Sequence, residues 1–183
     1  PATFERRWED NPTRGSYHTE PGSRRIVYDE GVLLGYRGFE ARGTKPLFPF
    51  GHGLSYTTFA YDDLAIREAP GVGVPGDVRW QVTFDVTNTG DRAGAAVAQL
   101  YAADPEARVR RPPKELKGFR KVVLEPGETK RVAIYLDGRS LAYWDVDAGR
   151  WRADAGVFRI LVGPSSADIA LTGEIRLDRA ITF

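Results

Sequence analysis

The sequence contains no cysteine and no methionine, and only two histidines. Without cysteine there is no disulfide framework, no thiolate nucleophile and no Cys-ligated zinc. Two histidines are too few for most histidine-built metal sites, so neither metal nor cofactor is expected. The missing disulfides leave the compartment unassigned, because disulfide-free proteins occur on both sides of a membrane. Charge of one sign is lacking too: 26 Lys+Arg against 25 Asp+Glu leave a formal net charge of +1. No global field therefore marks a nucleic acid or membrane partner. No apolar run approaches the ~18–20 residues of a membrane span, and no basic-then-apolar signal segment opens the chain. The first residue is Pro1 rather than Met, as expected of a processed or excised piece of something longer. What is present suffices for a core. The 183 residues are 42% hydrophobic and 28% charged, in a size class that buries roughly 70% of its unfolded surface.

Two textures divide the chain. Up to Phe59 it is punctuated by Pro1, Pro12, Pro21, Pro46 and Pro49 and by Gly15, Gly22, Gly31, Gly35, Gly38, Gly43, Gly51 and Gly53. No window holds an apolar stripe at helical spacing for three turns, which argues against a long amphipathic helix. Short extended pieces are expected at Arg25–Tyr28 and Val32–Tyr36. Phe4, Trp8, Tyr17, Tyr28, Tyr36, Phe39, Phe48, Phe50, Tyr56 and Phe59 crowd this segment, and rings of that size need a surface to pack on. The segment reads as an irregular arm laid over a larger body. From Phe59 onward the pattern is period two. Trp80, Val82, Phe84 and Val86 alternate with Gln81, Thr83, Asp85 and Thr87, a strand with one buried face. Val132–Leu136, Phe158–Val162 and Leu171–Leu177 repeat it, and further strands are expected at Tyr61–Ile66, Ala95–Ala102 and Leu116–Leu124. Turn signals separate them at Asn88–Asp91, Glu125–Gly127, Asp147–Gly149 and Gly163–Ser165. About seven short strands without helices between them predict an all-β, antiparallel β-sandwich.

Few motifs carry chemistry. Gly71-Val72-Gly73-Val74-Pro75-Gly76 fits the dinucleotide template, but a strand follows it where a helix N-terminus is needed. It reads as a loop between strands. Arg108, Arg110, Arg111, Lys114, Lys117, Arg120 and Lys121 form the one basic concentration. With Pro112-Pro113 at its head it reads as an edge strand or an intramolecular contact rather than a nucleic-acid grip. Asp29-Glu30 and Asp62-Asp63 are adjacent carboxylates, and neighbours on an extended chain point to opposite faces. Neither pair makes the facing dyad that glycoside hydrolysis needs. His52 in its glycine-rich turn reads as a hydrogen-bonded spacer. No GxSxG elbow exists, His18 has no evident serine partner, and Asn11-Pro12-Thr13 carries the proline that forbids N-glycosylation. Trp144 and Trp151 share a late loop. Either they stack sugars on exposed indole faces or they plug the open end of the core.

The segment Pro46-Leu47-Phe48-Pro49-Phe50-Gly51-His52-Gly53-Leu54-Ser55-Tyr56-Thr57-Thr58-Phe59 resembles the junction that ends the α/β-sandwich catalytic domain of family 3 glycoside hydrolases. Tyr28-Asp29-Glu30-Gly31 and Gly35-Tyr36-Arg37-Gly38-Phe39 resemble the segment before that junction, and Pro1-Ala2-Thr3-Phe4 the last elements of that domain's core. Val86–Gly90, Arg111–Phe119 and Gly163–Ile169 are similar to the fibronectin type III-like (immunoglobulin-like) domain that follows. The resemblance implies residues 1–59 as tail and linker of the catalytic α/β domain, and residues 60–183 as the fibronectin-like sandwich. It implies the non-catalytic C-terminal portion of a retaining, β-glucosidase-like enzyme that braces the catalytic domains. Its partners would be the remainder of those domains, a β-linked glycoside substrate for the whole enzyme and, in some members, a second copy in a homo-oligomer. No stretch matches the family's nucleophile or acid/base, so no catalytic residue is assigned. The alternative is an autonomous carbohydrate- or protein-binding sandwich using Trp144 and Trp151. Because Thr83, Asp85, Arg131, Glu174 and Arg176 populate the sandwich's outer faces, these offer little to Tyr36, Phe48 and Phe50. Residues 1 to about 45 are therefore expected to be weakly protected.

Overall fold

Strand alternation decides the architecture of the computed structural model, which describes residues 3–11, 13–14, 17–19, 22–70 and 78–183. In the arm, β1 (Tyr17–Thr19) pairs antiparallel with β2 (Ile26–Tyr28), and a short helix α1 (Tyr36–Ala41) follows. The strands β3 (Phe59–Pro70), β4 (Val78–Asn88), β5 (Gly94–Ala103), β6 (Glu115–Leu124), β7 (Thr129–Asp137), β10 (Gly156–Gly163) and β11 (Leu171–Leu177) come next in the chain. Between β7 and β10 lie the short β8 (Tyr143–Asp145) and β9 (Arg150–Ala153), and β12 (Ile181–Thr182) ends the series.

Among the described residues, two sheets face each other, one in the order β3-β4-β7 and the other β11-β10-β5-β6. All pairings are antiparallel. β8, β9 and β12 form a separate three-stranded sheet at one end. The inward positions are those the alternation selects. Trp80, Val82, Phe84 and Val86 stand opposite Leu136, Ile134, Val132 and Lys130, and Phe158 opposite Ile175. All of these except the exposed Lys130 make one buried cluster with Ala98, Leu100, Leu124 and Ile160. β7 and β6 are joined by the Glu125–Gly127 turn, where Gly127 takes φ +73°, a conformation glycine adopts without strain.

Two features depart from the sequence reading. Val32–Tyr36 is not extended: Leu33 N–H bonds the Glu30 carbonyl at 3.0 Å, and Gly35, at φ +56°, turns the chain so that Tyr36 opens α1. Alternating Val32 and Leu34 mimic a strand, but a left-handed glycine immediately after them ends any extended run. The second departure is β5. Ala98, Leu100 and Ala102 face the core, yet Gln99, Tyr101 and Ala103 on the opposite face are buried as well. Something covers the outer face of this sheet, and it is the arm. The Gly71–Gly76 segment lies outside the described residues. No helix among the described residues is long and apolar enough to cross a membrane.

Candidate functional site: the junction of arm and sandwich

The arm meets the sandwich through rings, then through charges. Tyr36 stacks on Phe50 with centroids 4.8 Å apart and meets Tyr101 of β5 edge-on at 6.1 Å. Its hydroxyl accepts the backbone N–H of Leu116 in β6 at 2.8 Å. Tyr101 in turn donates to Gln99 Oε1 at 2.6 Å, while Gln99 Nε2 donates to the Pro164 carbonyl at 2.6 Å. Burial, with Tyr36 and Glu40 nearby, pushes the Tyr101 hydroxyl far above its ordinary value. The expectation that the sandwich offers no surface to Tyr36 and Phe50 is thus overturned. It weighed Thr83, Asp85 and Arg131 on one sheet and Glu174 and Arg176 on β11, the far edge of the other, and overlooked Tyr101 and Leu116. Phe48 does stay off the sandwich stack. It pairs with Phe4 at 6.4 Å and with His52 at 5.1 Å.

Ion pairs flank this stack. On α1, Glu40 pairs with Lys114 at 2.7 Å and Arg37 with Glu115 at 3.6 Å. Glu115 is a hub, because Arg111 reaches it at 2.9 Å and Lys117 at 3.2 Å. Arg111 also contacts Asp104 at 3.4 Å and donates to the Leu141 carbonyl at 2.8 Å. Burial alone would raise the Glu115 carboxyl, but Arg111 and Lys117 outweigh it and hold the group below the ordinary glutamate value. Glu40 goes the other way: burial raises it, and Lys114 only partly compensates. Lys117 is lowered by burial, against the pull of Glu115.

The chain then crosses to β3. The Phe50 carbonyl accepts Ser166 N–H at 2.8 Å. Gly51, at φ +86°, lies so close to Gln99 that a Cβ there would sit 2.1 Å from Nε2. Thr57 donates its hydroxyl to Asn88 Oδ1 at 2.5 Å. Asn88 is fully buried and spends its amide on the carbonyls of Arg92 and Leu124 at 2.7 and 3.1 Å. Between these anchors Leu54 is 94% and Tyr56 91% exposed. They flank a groove of about 430 Å³ lined by Gly53, Ser55, Thr57, Phe59, Tyr61 and Val97. Burial, with Asp168 adding to it, pushes the Tyr61 hydroxyl up to about 12.

A fibronectin type III-like domain model matches residues 96–166. Thermostable β-glucosidase B of Acetivibrio thermocellus is 43% identical over 180 residues, 98% of this chain and 23% of that enzyme. The crystal structure of β-glucosidase 3B from Thermotoga neapolitana in complex with glucose superposes with a TM-score of 0.87 at 35% identity, covering all of this chain and 25% of that one. The GH3 β-glucosidase of Bifidobacterium adolescentis gives 0.87 at 38% identity, over 97% of this chain and 25% of its own. The chain corresponds to the C-terminal, fibronectin type III-like region of family 3 β-glucosidases. It spans about a quarter of the length of these relatives.

Within this fibronectin-like region the sequence-derived candidates scatter. The basic run spends four of its seven charges internally, Arg111, Lys114 and Lys117 in the ion pairs above and Arg108 at 3.8 Å from Asp154. It lies on and before β6, an edge strand of its sheet, as the prolines suggested. Asp63, at φ +49° in an irregularity of β3, pairs with Arg131, which also reaches Asp85 at 3.0 Å. Asp29 and Glu30 sit in the turn after β2. His52 is exposed against Phe48, and its N–H bonds the Pro49 carbonyl at 3.0 Å. Among the described residues no three His, Asp or Glu side chains gather as a metal site. Trp144 and Trp151 are not in a loop. They are a directly opposed pair in the β8–β9 hairpin, formed because Asp145 Oδ1 accepts Ala148 N–H at 3.0 Å and Gly149 takes φ +61° to close the turn. Sequence reasoning missed the Tyr36–Phe50–Tyr101 stack and the Glu115 hub. Only the density of aromatics in the arm hinted at the former.

Proposed function

We propose that this chain is the non-catalytic C-terminal portion of a retaining, β-glucosidase-like enzyme, and that it braces the catalytic domains. The observation that carries this reading is the split use of the arm. Tyr36 and Phe50 bind it to the sandwich, while Leu54 and Tyr56 stand 94% and 91% exposed beside an open groove. Trp8, Ile26, Tyr28, Val32 and Leu34 are exposed along the same arm. Fully burying one such side chain is worth about 1.5–3 kcal/mol, so a row of them is an unfilled interface rather than a finished surface. The covering body is the remainder of the family 3 catalytic domains, which carries the nucleophile and acid/base and takes the β-linked glycoside. In this reading residues 1–59 are the tail and linker of the α/β domain and 60–183 the sandwich.

Assembly from two parts tests it. A family 3 β-glucosidase body lacking the region that matches this chain should form a one-to-one complex with it, seen by size exclusion with light scattering. Leu54→Asp combined with Tyr56→Asp should weaken that complex about ten-fold or more. Failure to associate, or association indifferent to both changes, would overturn the reading.

A further inference from the structure

Because Trp144 and Trp151 are directly opposed across the β8–β9 hairpin, both indoles project from one face. Their rings meet nearly perpendicular, centroids 5.8 Å apart at 74°. What lies beneath them differs. Trp151 packs against the sandwich core and carries the Arg139 guanidinium over its ring at 4.7 Å. Its carbonyl accepts the Phe183 N–H at 3.0 Å. Trp151 is the plug. Trp144 keeps 50% of its surface exposed, and Val146, in the turn two residues on, is more open still. Core packing accounts for the first tryptophan and leaves the second without a packing role. The exposed indole is nevertheless mounted on a fixed base, so a ligand that lands on it orders little that is not ordered already.

We infer that the Trp144 face of this hairpin is a stacking site for a pyranose ring of a β-linked gluco-oligosaccharide. The choice of sugar rests on the proposed reading of the parent protein as one that acts on β-glucosides. The choice of a sugar over a protein rests on size and polarity. The open apolar surface here is one indole and one valine, against the ~800 Å² per partner of a stable protein–protein interface. Charged residues border it: Asp145, Asp147 and Arg150 at the turn, and Arg139 beside Trp151. A glucose ring with equatorial substituents presents axial C–H groups as a flat apolar face and hydroxyls around its rim. The indole face suits the former. Arg139, its guanidinium 4.7 Å from the Trp151 ring centroid, holds N–H donors beside the same pair for the latter.

The test is a titration of the uniformly 15N-labelled 183-residue chain, following the indole Nε1–H signals and the backbone amides of the hairpin. Cellotetraose should move the Trp144 signal saturably, with a dissociation constant on the order of 1 mM, and maltotetraose should bind about five-fold more weakly or worse. Trp144→Ala should abolish the response. Trp144→Phe, which keeps a ring in place, should retain a weaker one, read from the backbone amides of the hairpin. The Trp151 signal reports whether either variant remains folded. No saturable shift at Trp144 up to about 20 mM cellotetraose, shifts confined to other residues, or equal binding of maltotetraose would each overturn the proposal. A null titration leaves the docking of Leu54 and Tyr56 untouched, and failed docking leaves the titration unchanged, so the two proposals fail separately.

Discussion

The hydroxyl of Tyr36, in the helix of the arm, accepts the backbone N–H of Leu116, in an edge strand of the sandwich, at 2.8 Å. The two residues are 80 positions apart, and their bond is the point at which an apparently irregular segment becomes part of a β-domain. Tyr36→Phe keeps the ring stack and strands that N–H. The expected cost is about 1–3 kcal/mol in chemical denaturation, with faster hydrogen exchange at Leu116 and none at Val82–Val86.

Glu115 sets an acid limb to stability. Its carboxyl is lower in the folded chain than in the unfolded one, so its contribution is present above about pH 4.3, the ordinary glutamate value, and is lost as pH falls through the depressed folded value. Glu40 is raised, and its contribution runs the opposite way, present in acid and lost as pH rises through the raised value. Glu115→Gln should therefore flatten the fall in melting temperature below about pH 4.3, and Glu40→Gln should steepen the fall above it, between that pH and the raised Glu40 value. At neutral pH Glu115→Gln should cost roughly 3 kcal/mol, because Arg111 and Lys117 lose their shared partner. An unchanged acid limb in the Glu115 variant would mean the hub carries no linkage.

The core makes a plainer demand. Phe84 and Phe158 are 0% and 2% exposed, one in each sheet. Replacing either with Ala should remove about 3–5 kcal/mol, a large share of the ~5–15 kcal/mol that a domain has. Losses under about 1 kcal/mol at both positions would mean they do not face each other across the sheets.

Within the arm, protection from exchange should be uneven. The amides of Phe39 and Arg42, bonded to the carbonyls of Gly35 and Gly38 at 3.2 Å beneath the Tyr36 stack, should exchange at least about ten-fold more slowly than those of residues 22–34, where apolar side chains stand open. Uniformly fast exchange through residue 50 would show that the ring stack does not hold in solution.

The chain by itself is expected not to hydrolyse aryl β-glucosides, since no stretch of it resembles the nucleophile or acid/base that double displacement requires. Turnover of a chromogenic glucoside by the purified chain, abolished by changing one of its own carboxylates, would contradict this.

Most of the sandwich strands were legible because they show one face to the core and one to water, and Trp80 through Val86 could be read as alternating buried and less buried positions without knowledge of any partner. β5 was legible as a strand but not as a strand buried on both faces. Gln99 occupies an outward position and looks like a solvent residue until Gly51 is laid on top of it. α1 escaped because six residues make less than two turns, too short for a periodic signal. The paired tryptophans could be named but not sorted. Which of the two is sealed depends on Arg139 and Phe183, and neither is within ten residues of both.

Gly51 and Gln99 have a consequence for how such chains can be recombined. Phe59 opens the first sandwich strand, but Tyr36, Phe50 and Gly51 before it already interlock with β5 and β6. A chimaera cut at Phe59, with the arm of one relative and the sandwich of another, would bring together a glycine and a glutamine side chain selected separately. Any residue other than glycine at 51 would meet the carboxamide at 2.1 Å. The unit that packs as one is therefore longer than the sandwich, and a splice upstream of Tyr36 keeps it whole.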